Sequence, residues 1–280
     1  MHQPPLEKPV FLLGVGTQKS GTSWLHLQLQ NSPKTNMGLL KEYHIWDALF
    51  IPHFAHFRAQ DPQPNHRWLD ADFAGFNAQQ LKFAMQNVEG FYESYFQTQV
   101  TGSASITGDF TPSYSGLAAK DFALIRSRLE AAGFAVKVIF LMRDPVARNW
   151  SSLRMRRAMA QAQGEQISDQ QLLARFKPFY ESAESLSRTR YDLTVERLKE
   201  TFDCHQLYFG FYENMFEEPS LASLINVLGI ARTDLDVDQK VNVSNRLELP
   251  HELAAECRSF YSGVYDYCRS EFPVSQTLWR

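Results

Sequence analysis

Two stretches of this sequence carry residues able to grip anions, and a third carries a candidate base. The first, Gly14-Val15-Gly16-Thr17-Gln18-Lys19-Ser20-Gly21-Thr22-Ser23-Trp24, follows an apolar run and opens a helical pattern. A strand feeding a glycine-bearing loop and then a helix N-terminus leaves backbone N–H groups free, with the positive end of the helix dipole at the same point. Lys19 adds a point charge there, and Ser20, Thr22 and Ser23 add hydroxyls. The second stretch, Arg143-Asp144-Pro145-Val146-Ala147-Arg148-Asn149-Trp150-Ser151, also ends an apolar run. A guanidinium with a nearby hydroxyl can meet a dianionic phosphate with several charge-assisted bonds. The third is Lys41-Glu42-Tyr43-His44-Ile45-Trp46-Asp47. On an extended segment Glu42 and His44 fall on one side, and a positioned carboxylate or imidazole can each take a proton.

The elements that must position these groups follow from hydropathy. Apolar runs at 10–15, 136–142 and 207–212 read as strands, and their near-continuous apolar character fits parallel strands covered on both faces. Helical patterns cover 22–31, 118–132, 145–160, 184–201, 219–228 and 251–272; Pro145 suits a first turn, and Gly133 and Gly229 suit helix ends. Strands alternating with helices predict an α/β fold of three layers, a central parallel sheet flanked by helices. No repeat or linker divides residues 1–280, which read as a single domain with a long excursion over about residues 45–100. Its stretch 51–80, rich in His, Phe, Pro and Asn, is the kind of surface segment that shapes a substrate pocket.

With 280 residues, 44% of them apolar, the chain can bury a full core without staples. Its 28 Lys and Arg against 31 Asp and Glu give a net charge of −3. That balance argues against a general nucleic-acid or anionic-membrane binder and leaves room for a local basic pocket. No apolar run reaches the ~18 residues of a membrane span, and the run after the polar N-terminus is too short for a secretory signal. Cys204, Cys257 and Cys268 form no CxxC pair. On one continuous helix Cys257 and Cys268 would lie roughly 16 Å apart, beyond the ~7 Å limit of a disulfide. A reduced, cytoplasmic protein without a cysteine-based metal site is expected. His53, His56 and His66 lack carboxylates at ligand spacing, so no metal is expected there either.

Gly16 and Gly21 have the spacing of the P-loop, GxxxxGK[ST], but Thr22 stands where its lysine would be, and Lys19 comes two positions before the second glycine. Lys19-Ser20-Gly21-Thr22-Ser23-Trp24 after a strand instead resembles the 5′-phosphosulfate loop of sulfotransferases that use 3′-phosphoadenosine-5′-phosphosulfate (PAPS). Arg143 and Ser151 match, in type and spacing, the residues that bind the donor's 3′-phosphate in that family. Tyr212-Glu213-Asn214 resembles the family's Tyr-Glu-Asp strand end, whose tyrosine lies near adenine. Val241-Asn242-Val243-Ser244-Asn245-Arg246 looks like a late donor-covering loop from which Arg246 would reach the 3′-phosphate. Trp24 stands in register to stack on adenine, with a packed core tryptophan as the other reading. Glu42 and His44 resemble the Glu-x-His of heparan sulfate O-sulfotransferases, in which the glutamate is the base; cytosolic members use a histidine, which makes His44 the rival. Asp109-Phe110-Thr111-Pro112-Ser113-Tyr114 resembles the family's Lys-Thr-Pro-x-Tyr but has Phe110 at the lysine, which speaks against a polyanionic acceptor.

The resemblance implies in-line transfer of the sulfuryl group of PAPS to a hydroxyl or amine of a small-molecule, lipid or carbohydrate acceptor, leaving 3′,5′-ADP, with no metal. Glu42, Lys19 and His44 would be catalytic. Gln18, Lys19, Ser20, Gly21, Thr22, Ser23, Trp24, Arg143, Ser151, Tyr212 and Arg246 would hold the donor. Two alternatives stand beside it: a P-loop nucleotide kinase or NTPase with Mg²⁺ at Asp144, and a non-catalytic nucleotide-binding protein. Arg148, Arg154, Arg156 and Arg157 read mostly as a solvated helix face. Oligomeric state is left open.

Overall fold

The computed structural model describes residues 8–62, 75–239 and 247–279. Four strands, β1 (Val10–Gly16), β2 (Ile106–Phe110), β3 (Ala135–Met142) and β4 (Leu207–Phe211), form one parallel sheet in the order β2-β1-β3-β4. Val10 sits beside Ile106 on one neighbour and Ala135 on the other, and Val138 beside Leu207. Around the sheet run helices α1 (Thr22–Asn31), α2 (Trp46–Phe50), α3 (Ala78–Asn87), α4 (Phe91–Gln99), α5 (Ala119–Ala131), α6 (Pro145–Ala162), α7 (Asp169–Ala174) and α8 (Phe176–Tyr180). They are followed by α9 (Ala183–Thr189), α10 (Tyr191–Thr201), α11 (Glu218–Leu228), α12 (His251–Phe260), α13 (Ser262–Glu271) and α14 (Ser275–Leu278).

Period-two alternation along β1 builds the three layers. Phe11, Leu13 and Val15 point into one core with Tyr92 and Phe96 of α4, Ile125 and Leu129 of α5, and Val195 and Leu198 of α10. Leu12 points the other way, into a core with Leu25 and Leu29 of α1 and Leu221, Leu224 and Leu228 of α11. A leucine fully buried in either core contributes about 1.5–3 kcal/mol, so the strands' unbroken apolar runs are what the two-sided covering requires.

Four expectations need correction. Sequence reading missed β2, whose Thr107, Gly108 and Asp109 interrupt the apolar pattern. The strand is nonetheless buried throughout, because its polar side chains find partners; Thr107 Oγ1, for instance, donates to the Asn36 carbonyl at 2.7 Å. The helix expected over 184–201 is two, broken at Arg190, whose ψ of 69° is not helical. The helix over 251–272 also breaks, at Tyr261, so Cys257 and Cys268 lie on separate helices and the single-helix ruler between them does not apply. Both are free, buried thiols, with burial pushing each up to about 12. Arg148, grouped with a solvated face, is fully buried: it donates to Ser185 Oγ at 2.8 Å and to Asn149 Oδ1, and burial lowers its pKa. The outer arginines of α6 behave as surface residues do, Arg156 pairing with Glu184 and Arg157 with Asp169.

The excursion after α2 holds a short 3₁₀ turn at Pro52–Phe57 and then α3 and α4. Asn77 caps α3 and Gln80 returns the bond to the Asn77 N–H, a reciprocal capping box. Residues 63–74, with His66, lie outside the described residues, as does the 241–246 loop with Arg246.

Candidate active site

The loop after β1 is shaped by backbone geometry that few residues tolerate. Lys19 lies at φ 74° and Gly21 at φ 88°, in the left-handed region where only glycine is at ease. A Cβ at Gly21 would come within 2.6 Å of Met215 Sδ and 3.3 Å of the Tyr212 ring, so the loop presses against the chain leaving β4. Gly21 is the N-cap of α1 and supplies no side-chain cap, which leaves the first-turn N–H groups for a bound anion. The Thr17 N–H donates to the Leu141 carbonyl at 2.6 Å, tying the loop to β3.

A cleft of about 650 Å³ opens over this loop, within the roughly 300–1,000 Å³ range of small-molecule sites. Gln18, Lys19, Gly21, Thr22, Ser23, Trp24, Arg143, Ser151 and Tyr212 all line it, and so do Glu42 and His44. Of the expected donor residues all but Ser20 and Arg246 thus line one cleft, Arg246 lying outside the described residues. Ser20 is fully buried and does not line the cleft; its hydroxyl pairs with Thr17 Oγ1 at 2.6 Å and braces the loop. Trp24 is only 3% exposed. Its Nε1 donates to the Asp236 carbonyl at 3.0 Å and its ring meets Phe216 edge-on at 5.0 Å, so it is a core tryptophan with one border on the cleft. Phe216, 38% exposed and lining the cleft, was not singled out from sequence. Its position five residues after the strand, beyond the Tyr-Glu-Asn turn, was the available signal.

The loop after β1 and the arginine after β3 touch. Arg143 Nη1 donates to the Lys19 carbonyl at 2.9 Å, and the guanidinium lies 4.4 Å from the centre of the Tyr212 ring, close enough for a cation–π contact. Tyr212 is therefore a platform for the arginine. Burial lowers the Lys19 pKa, and the cations of Arg143, Arg154 and Lys41 lower it further. Positive charges crowded in this way gain from any anion that enters.

In the lining of the same cleft Glu42 pairs with Lys41, as a surface glutamate would, yet its Oε2 also lies 3.4 Å from His44 Nε2. The second nitrogen of His44, Nδ1, is 2.7 Å from Asp47 Oδ2, which also accepts from Ser113 Oγ at 2.5 Å. His44 stacks on Phe57 at 3.7 Å. Glu42 and His44 converge, as expected, but the cause differs: His44 turns back at φ 56° rather than following an extended strand. Burial pushes the Glu42 carboxyl up, but the His44 hydrogen bond and Lys41 outweigh it and hold the group down at about 2. Burial pulls His44 down, and the Asp47 and Glu42 carboxylates overcome that and raise it. Glu42, His44 and Asp47 thus form one connected line, and Asp47 is a member that residue pattern alone did not single out.

Asp144, the alternative Mg²⁺ ligand, does not line the cleft. Its Oδ1 caps α6 by accepting from the Ala147 N–H at 2.8 Å, and its Oδ2 accepts from Tyr265 OH at 2.7 Å. Phe110 is buried in the α1-side core rather than facing the cleft. His53 Nε2 contacts Ser187 Oγ at 3.1 Å. Among the described residues no group of three or more His, Cys, Asp or Glu is placed to hold a metal, and no helix is long and apolar enough to cross a membrane.

A four-stranded parallel sheet flanked by helices, with a glycine-bearing loop after its first strand, defines an α/β fold. Solved structures share it. A sulfotransferase from Alicyclobacillus acidocaldarius superposes with a TM-score of 0.59 at 19% sequence identity, over 93% of this chain and 94% of that one. The sulfotransferase domain from the curacin biosynthetic pathway is similar at a TM-score of 0.49 and 14% identity, over 93% of this chain and 98% of that one. For the sulfotransferase domain of the Synechococcus PCC 7002 olefin synthase the values are 0.47 and 16%, over 92% and 90%. The chain has the sulfotransferase fold; at these identities the likeness extends no further than the fold. No protein-family model and no curated protein matches the sequence.

Proposed function

We propose that this protein is a PAPS-dependent sulfotransferase acting on a hydroxyl or amine of a small-molecule, lipid or carbohydrate acceptor. The observation that carries this is the meeting, in the lining of one cleft, of the Lys19 loop and Arg143 with the Glu42–His44 pair. The cleft fits such a donor. The 3′- and 5′-phosphates are carried by one ribose, so their cationic partners must share one cleft, as Lys19 and Arg143 do. Phe216, which is exposed, borders the same space with ring surface suited to adenine, and Tyr212 and Trp24 pack beside it.

The donor supplies a sulfuryl group activated by its anhydride link to the 5′-phosphate. The protein's part is positioning and electrostatics. Lys19 and the first-turn N–H groups of α1 face the charge that gathers on the departing phosphate oxygen, while Arg143 and Ser151 hold the 3′-phosphate. Glu42, ionised throughout the physiological range, takes the acceptor's proton, and His44, backed by Asp47, holds Glu42 in place. A second assignment, with His44 as the base, draws on its raised pKa and its place on the cleft wall; the two differ in pH dependence.

Titration calorimetry tests the donor. 3′,5′-ADP binds without metal, and ATP with Mg²⁺ binds more weakly; the reverse order would establish a kinase or NTPase instead. Incubation with labelled PAPS and an acceptor panel, read by mass spectrometry, then tests turnover, since a non-catalytic nucleotide binder releases no 3′,5′-ADP. Arg143→Ala weakens 3′,5′-ADP binding by about 10-fold to 10²-fold, the effect of losing one strong charge-assisted bond. An unchanged affinity would remove Arg143 from the donor site.

A further inference from the structure

A buried carboxylate with no part in the chemistry above stands at the end of β2. Asp109 is fully buried and accepts three hydroxyl protons. Thr111 Oγ1 donates to Oδ1 at 2.7 Å, while Tyr114 OH at 2.7 Å and Tyr92 OH at 3.1 Å donate to Oδ2. A hydroxyl has one proton, so once that is given to the carboxylate only lone pairs remain for other partners. Two of these hydroxyls turn their lone pairs to the segment that carries Glu42 and His44. The N–H groups of Tyr43 and His44 donate to Thr111 Oγ1 at 3.0 and 3.3 Å, and that of Ile45 donates to Tyr114 OH at 3.2 Å. Gln86 Nε2 holds the His44 carbonyl at 2.8 Å. His44, at φ 56°, occupies backbone space that a non-glycine residue keeps only when its surroundings enforce it.

Taking the sulfuryl transfer proposed above as the reaction, we propose that Asp109 is the positioning residue of the proton-accepting segment. By fixing which way the Thr111 and Tyr114 hydroxyls point, it fixes three successive backbone N–H groups, and with them the places of Glu42 and His44. An amide at this position could not do so. Its NH₂ would force a facing hydroxyl to accept, and that hydroxyl's proton would then turn against a backbone N–H. The ionised form is the one that works. Burial raises the carboxyl to about 6 against the opposing bonds from Thr111, Tyr114 and Tyr92, with Asp47 adding to the rise. Lys82 of α3 and Tyr43 also feel its charge.

Variants of the linking residues separate positioning from stability. Thr111→Val keeps the shape and removes the oxygen, Thr111→Ser keeps the oxygen, and Tyr92→Phe removes a bond to the same carboxylate without a link to residues 43–45. Thr111→Val lowers kcat by about 10-fold to 10²-fold, the scale of a small misplacement of a reacting group, with 3′,5′-ADP affinity within ~2-fold of the parent. Tyr114→Phe, which frees only the Ile45 N–H, gives a smaller drop in the same direction. Thr111→Ser and Tyr92→Phe turn over like the parent. The NMR signal of the His44 ring protons moves in Thr111→Val and stays in place in Thr111→Ser and Tyr92→Phe. Parent-like kcat in Thr111→Val with an unmoved His44 signal overturns the proposal, as does an equal loss in Tyr92→Phe. Failure of the parent protein to release 3′,5′-ADP from PAPS would count against sulfuryl transfer alone, and the His44 signal would then decide the positioning by itself.

Discussion

Lys19→Ala lowers kcat for sulfuryl transfer by about 10²–10³-fold, the usual cost of removing one preorganised donor from a site where charge develops. The lysine lies at the mouth of α1, in a loop closed from the other side by Arg143. Its charge matters most when the departing phosphate oxygen becomes more negative, so kcat falls further than 3′,5′-ADP affinity does. The free protein does not lose stability in this variant, because Arg143, Arg154 and Lys41 all disfavour a charged Lys19. Rapid-quench turnover, calorimetry and thermal melting read these three effects separately. Turnover within ~3-fold of the parent would remove Lys19 from the stabilisation of the leaving group, since even a tenfold rate change takes about 1.4 kcal/mol.

Glu42→Gln lowers kcat by about 10²–10⁴-fold, the range for loss of a positioned general base, while Kd for 3′,5′-ADP stays near the parent value. The carboxylate is held at about 2, so it remains ionised through the assay range and its own titration sets no limb of the pH profile. With Glu42 as base, activity holds across neutrality and declines near pH 6, where Asp109 takes a proton. With His44 as base, the decline on acidification sets in higher, above its ordinary value of 6.5, because the required neutral imidazole is lost there. A weak carboxylate suffices in the first case, because the acceptor's proton grows acidic as its oxygen bonds to sulfur.

The same variant leaves a mark on stability. His44, raised in the folded protein, contributes stability that is complete below 6.5 and lost as pH rises through its folded value. Glu42, depressed, contributes stability that is present above 4.5 and lost as pH falls towards about 2. The melting-temperature difference between parent and Glu42→Gln is therefore largest between about pH 4.5 and 6.5. A difference that does not vary with pH would mean that the Glu42–His44 contact carries no charge.

Legibility in the sequence followed the range of the interactions involved. The loop after β1, the arginine after β3 and the Pro145 helix start were readable because each depends on neighbours a few residues away. Ser20 and Trp24 were legible as types but not as orientations: one turns inward to Thr17, the other packs against Phe216 and Asp236. β2 escaped because its polar residues are satisfied by partners distant in sequence, and Arg148 because its burial depends on α9 meeting α6.

By itself the sequence determined the alternation of apolar strands and amphipathic helices, the glycine-bearing loop after β1 and the residue types of the site, since period and spacing are properties of the covalent chain. Only the tertiary structure decided that Arg143 closes on Lys19, that Asp47 backs His44, and that Asp109 reaches the segment of Glu42 through two hydroxyls. Those contacts join residues separated by as many as 124 positions. The Arg143 and Asp109 contacts depend on which strands lie side by side, since the parallel sheet brings the C-terminal ends of β1, β2 and β3 together. Asp47, by contrast, meets His44 only three residues away, because His44 turns back at φ 56°.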